Sequence, residues 1–165
     1  MKENLLKTLK KEICNDNFNI FLCIGTTKCI GDSLGPKVGE ILYKNIKKDN
    51  ICVLGNIQQN IDYNNINIVL KELYNKVKNP YLIVIDSALG DKKYIGNIIA
   101  NKKQMVIGNG LNKKGYKLGN ISIKGIIGED RKDEIKNFKT LNNISNNIIE
   151  KLSYEISNQI INVIV

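Results

Sequence analysis

A chain of 165 residues, 42% hydrophobic and 25% charged, can bury a core without metals or disulfides and reads as one globular domain over residues 1–165. Its net charge is +9, but Arg131 is the only arginine and the lysines are scattered in ones and twos, so a nucleic-acid partner is not expected. No apolar run approaches the roughly 20 residues that span a bilayer, and the N-terminus interleaves charge with leucine instead of forming a signal peptide, so no membrane partner and a cytoplasmic location are expected.

Residues 1–14 carry Leu5, Leu6, Leu9 and Ile13 on one helical face, and turn-formers follow from Asn15 to Asn19. The apolar run Ile20–Ile24 reads as a strand. It breaks at Gly25 into a loop ending at Asp32, and a helix is expected from Ser33 to Lys48, with Pro36 in its first turn and Val38, Ile41, Leu42 and Ile46 as its stripe. Ile51–Leu54 make a second strand, Gly55 and Asn56–Asn60 a loop, and Asn64–Lys78 a helix that Asn79-Pro80 ends. Tyr81–Ile85 is apolar at nearly every position, the pattern of a strand buried on both faces at the centre of a parallel sheet, and Asp86 ends it.

Beyond Asp86, Tyr94–Ala100 and Ile121–Ile127 read as strands, separated by an irregular glycine- and asparagine-rich stretch, Gly108–Gly119. A polar segment, Gly128–Asn137, leads to a last helix over 142–157. Strand–helix–strand–helix–strand, then strands, then a helix, gives an α/β fold, a three-layer α/β/α sandwich around a mostly parallel sheet.

The chain has no histidine, which excludes a Ser-His-Asp triad, a Cys-His pair and a histidine-ligated zinc. Cys14, Cys23, Cys29 and Cys52 form no CxxC pair; Cys23 and Cys52 read as small core residues and Cys29 as a reduced loop thiol. The loop GTTKCIGDS is neither a P-loop nor GxGxxG. What remains is carboxylate chemistry. Asp32 and Asp86 both follow strands whose carboxyl ends line the crevice where open parallel sheets bind ligands. Two carboxylates in reach of each other cannot both ionise easily, so one activates water while the other donates a proton. The same pair could hold a hard divalent cation instead, although no cofactor is favoured. Asp32 reads equally as a helix N-cap; Asp91, Asp130 and Asp133 read as solvated surface.

The blocks IFLCIGTTKCIGDSLGPKVG and LIVIDSALG resemble the YyaC-like sporulation proteins of spore-forming Firmicutes, a family related to the spore germination protease and, more distantly, to hydrogenase maturation proteases. The resemblance implies a phosphorylase/hydrolase-like α/β/α fold and endopeptidase activity, with the two active-site acids of the germination protease falling on Asp32 and Asp86. In the maturation proteases these two places bind nickel together with a histidine, which this chain lacks. The expected function is therefore peptide-bond hydrolysis during sporulation or germination, in the developing spore or mother cell, on a protein or peptide substrate. The alternative is a non-catalytic factor that holds a peptide or protein tail in the same crevice. Gly25, Thr26, Gly31, Ser33, Ser87 and Gly110 are the expected substrate-contacting positions.

Overall fold

The structure, a computed structural model, describes residues 2–13, 16–107 and 115–165, the first three by main chain alone. The elements in chain order are α1 (Lys2–Glu12), β1 (Asn19–Cys23), a 3-10 turn (Ile30–Asp32), α2 (Leu34–Asn45), β2 (Ile51–Leu54), α3 (Ile66–Lys76), β3 (Tyr81–Gly90), a second 3-10 turn (Lys92–Tyr94), β4 (Ile98–Asn101), β5 (Met105–Ile107), β6 (Tyr116–Leu118), β7 (Ile121–Glu129), α4 (Glu134–Asn142) and α5 (Asn146–Ile164).

The main sheet runs β2-β1-β3-β7-β4. The first four strands are mutually parallel, and β4 is an antiparallel edge strand on β7. Leu82 to Ile85 are buried, so the central position expected of the third strand holds. Side chains alternate across the sheet. Phe21, Cys23, Ile83, Ile85, Ile121 and Ile123 meet α1, α2 and α5 in the main core, together with Leu5, Leu34, Leu42, Leu152 and Ile156. Ile20, Leu22, Leu82 and Val84 point the other way, toward α3 and a β5–β6 hairpin that supplies Met105, Ile107 and Leu118. The result is the α/β/α sandwich the element order implies.

Several boundaries differ from the sequence reading, each for a local reason. Asp86 does not end β3: the strand continues to Gly90, because β7 runs alongside it past that point, with an irregularity at Ala88/Leu89. The strand expected from Tyr94 starts only at Ile98, after a 3-10 turn and Gly96 at φ 86. The end of the glycine-rich stretch is strand β6, whereas Gly110 and the remainder over 108–114 lie outside the described residues, as do Cys14 and Asn15. Part of the polar segment 128–137 begins helix α4, capped by Asp133, whose side chain accepts from the Lys136 N–H. Asp130, also read as free surface, accepts from the Lys132 and Asn137 side chains, and its carboxyl is held down at about 2, first by the bond from Lys132. The last helix starts at Asn146, behind the cap Ser145, and runs to Ile164. Cys52 is half-buried, since β2 is an edge strand, while Cys23 is buried as expected.

Candidate active site

β1 leads into Gly25, which takes φ 142 and lies so close to Asp32 that a Cβ there would sit 2.0 Å from the Asp32 carbonyl oxygen. That approach is closed by a hydrogen bond, Thr26 N–H to Asp32 C=O at 2.9 Å. The loop is a tight ring that returns Asp32 to the end of β1. Asp32 then sits at the end of the 3-10 turn, one residue ahead of the N-cap of α2, which is Ser33. The N-cap position open to Asp32 in the sequence is therefore taken by its neighbour, whose side chain makes no capping bond.

The connection from β2 to α3 comes back to the same place. Ile61 bridges to Ile24 and Gly25, the Gly25 N–H donating to the Ile61 carbonyl at 2.8 Å. Asn60 accepts from both the Thr27 N–H and the Thr27 hydroxyl. This brings a third acid, Asp62, close enough for its charge to act on Asp32. Asp62 also has an ordinary structural task, accepting from the Asn64 N–H ahead of α3.

Asp86 lies on β3, on the face carrying Leu82 and Val84, one pleat beyond Val84. The apolar cover of that face extends to Val84, where a Cβ on Gly119, just after β6, would stand 2.5 Å from a Val84 methyl. Asp86 accepts from the Ser87 N–H at 2.7 Å. The residue keeps partial solvent exposure, yet burial dominates its titration. Burial first, and then the charge of Asp32, push its carboxyl up to about 8, against the opposing effects of the Ser87 N–H and of Lys124. Asp32 is also raised, first by burial and then by Asp62, with a hydrogen bond from the Cys29 thiol working the other way. Cys29 is itself pushed up by burial and next by the Asp32 charge, which makes it a donor to Asp32 rather than a thiolate.

Asp32 and Asp86, 54 positions apart in the chain, thus share one electrostatic environment. The expected substrate-contacting positions fare differently. Gly25 and Gly31 are buried packing positions; a Cβ on Gly31 would stand 2.7 Å from the Leu141 carbonyl oxygen as α4 passes over the turn. The Ser33 hydroxyl donates to the Ile30 carbonyl at 2.7 Å, and the Thr26 hydroxyl accepts from the Lys28 N–H. Ser87 contributes its main chain, its side chain lying on the opposite face from Asp86. Gly110 is outside the described residues.

Two hollows are lined by other residues. One of about 470 Å³ runs beside β2 and the Asn56–Asn60 loop, and one of about 210 Å³ lies at the far end of the sheet around Lys10 and Lys48.

The family known as DUF1256, described as a protein of unknown function, matches residues 1–159. The chain belongs to the DUF1256 family. Among curated relatives this DUF1256 chain is 31% identical to the uncharacterized protein YyaC of Bacillus subtilis over 108 residues, 66% of its own length and 52% of that of YyaC; it thus aligns with about half of the relative. The resemblance read in the two sequence blocks is borne out. Among solved structures, the [NiFe] hydrogenase maturation protease HycI of Thermococcus kodakarensis superposes with a TM-score of 0.62 at 15% identity, covering 95% of this chain and 98% of that one. The hydrogenase maturating endopeptidase HybD of E. coli gives a TM-score of 0.49 at 13% identity over 86% and 88% of the two chains. At such identities the HycI likeness establishes the fold.

The nickel site implied by the more distant relatives does not fit the donors of this DUF1256 chain. It has no imidazole, Asp86 is biased toward its neutral form, and among the described residues no group of three or more potential ligands is placed to hold a metal. Two members of this environment escaped the sequence reading. Asp62 follows a strand and its turn, as Asp32 does, but stands in an asparagine-rich run that looks like plain loop. Lys124 is the one charge inside the apolar run Ile121–Ile127, and that interruption was its signal.

Proposed function

We propose that this protein hydrolyses a peptide bond in a protein substrate, with Asp32 and Asp86 as an acid–base pair. The observation carrying this reading is that separate segments deliver two carboxyls to one end of the sheet, where the charge of Asp32 lifts the proton affinity of Asp86. Asp86 holds the proton near neutral pH, and Asp32 is assigned the part of the base. In the forward step Asp32 takes a proton from water, the hydroxide oxygen bonds to the carbonyl carbon, and Asp86 gives its proton to the carbonyl oxygen. In the second, Asp32 passes its proton to the amide nitrogen, the C–N bond breaks, and Asp86 recovers a proton from the gem-diol. No histidine or metal takes part. The likeness to HycI, named as a maturation protease, supports a peptidase; the setting in sporulation or germination, inside the developing spore or mother cell, is carried over from the family resemblance of the two sequence blocks.

The rival reading, a protein that binds a peptide without cutting it, is favoured by the 470 Å³ trough beside β2, whose inner end at Asn60 touches the Asp32 loop. One experiment separates the two. Proteins extracted from spores are incubated with the wild type, Asp32→Asn and Asp86→Asn, and new N-termini are read by mass spectrometry. Each variant is expected to lower cleavage by about a hundredfold or more while melting no lower than the wild type. Cleavage at wild-type rates by both variants overturns the assignment, and capture of a protein without new termini establishes the binding role.

A further inference from the structure

In the parallel pairing of β3 with β7, Asp86 and Lys124 are register partners. Paired residues on adjacent strands project to the same face. On β7 that face is opposite to Ile121, Ile123 and Gly125, whose surroundings are the α2 and α5 core, so Lys124 stands with Asp86 on the α3 side of the sheet. The strand order then puts Asp86 between two charges of opposite sign: Asp32, from the connection after β1, on one side, and Lys124, from β7, on the other. A lysine in an otherwise apolar strand loses hydration as the sheet packs, and the residue is half-buried here. The ionised form of Asp86 offsets part of this loss, so the lysine favours that form.

We propose that Lys124 is a positioning residue of the site, acting on Asp86 across the β3–β7 ladder and deciding which of the two carboxyls holds the shared proton. The inference rests on the acid-pair reading above. The other groups bearing on the pair are the Ser87 N–H on Asp86, and the Cys29 thiol and the Asp62 carboxylate on Asp32. On the hairpin that covers this face, Tyr116 is engaged by Tyr63 and Asn67, and Lys117 is exposed. Among the described residues, Lys124 is thus the cation that directly opposes the effect of Asp32 on Asp86. With it, Asp86 gives up its proton more readily; without it, burial and the Asp32 charge hold that proton more tightly, and its transfer to the carbonyl oxygen is disfavoured.

The test needs no substrate. Aspartate side-chain carboxyls are followed by carbon NMR against pH in the free protein, the Asp86 signal being the one lost in Asp86→Asn. Lys124→Met is expected to move the Asp86 midpoint upward by about half a pH unit or more, a threefold change in proton affinity, and Lys124→Arg to restore it. Lys92→Met, on the 3-10 turn after β3, is the control for simple loss of charge. Lys124→Gln serves if the methionine variant does not fold. An Asp86 midpoint that stays put in the Lys124 variants, or that moves equally in Lys92→Met, overturns the proposal. Because the readout is a titration and not turnover, it stands or falls separately from hydrolysis.

Discussion

Burial and the Asp32 charge hold the Asp86 carboxyl at about 8 where an unfolded chain has 3.8, so between these values the folded protein binds a proton that the unfolded chain has released. Stability from this group is therefore fully present below pH about 4 and is lost as pH rises through about 8, the reverse of a salt-bridged carboxylate. Asp32, also raised, adds to the loss. Urea unfolding across that window is expected to give a falling unfolding free energy with a slope below a ceiling of about 1.4 kcal/mol per pH unit from Asp86, lowered further by the solvent that reaches the residue. In Asp86→Asn the slope should flatten; an unchanged slope would show that Asp86 is not the group responsible. Both acids were legible in the sequence because each comes after an apolar run, although Asp86 proves to lie within β3 and not beyond it. Lys124 was not, since its meaning depends on which residue faces it across the ladder, and register between strands 38 positions apart is a long-range property.

The β1–α2 connection depends on one backbone conformation. At φ 142, with the Asp32 carbonyl oxygen 2.0 Å from where a Cβ would stand, Gly25 cannot be replaced without moving the loop. Gly25→Ala is expected to destabilise the fold by about 2 kcal/mol or more and to shift the Asp32 carboxyl signal, by thermal melting and NMR; a variant with wild-type stability would mean that the ring opens at little cost. The position was read in the sequence as a substrate contact, but its task is closer to holding the acid in place. Other connections were legible only in outline. Helix α4 lacks any fully buried residue, so its apolar spacing was weak, and its start rests on the Asp133 cap rather than on a stripe. β3 outran its predicted end because ladder bonds to β7, not side-chain hydrophobicity, extend it.

Across the sheet as a unit, Phe21 is the largest fully buried side chain, on β1 between β2 and β3 and facing the α2 side. Phe21→Ala is expected to cost about 3–5 kcal/mol, lowering the melting temperature by on the order of 10 °C. A small change would mean that the helices on that face close over the gap. The alternation of layers was readable because helical and strand periods are local: apolar residues at spacings of three and four, or in unbroken runs, can be buried in few other ways. The amino-acid order alone thus determined the α/β sandwich, its central strand, the absence of imidazole chemistry and two acids that each follow an apolar run. Only the tertiary structure decided that Asp62 returns to the Asp32 loop through Ile61 and that Lys124 flanks Asp86. Those pairings join segments distant in sequence, and the energy of a charge depends on what surrounds it in space rather than on its neighbours along the chain.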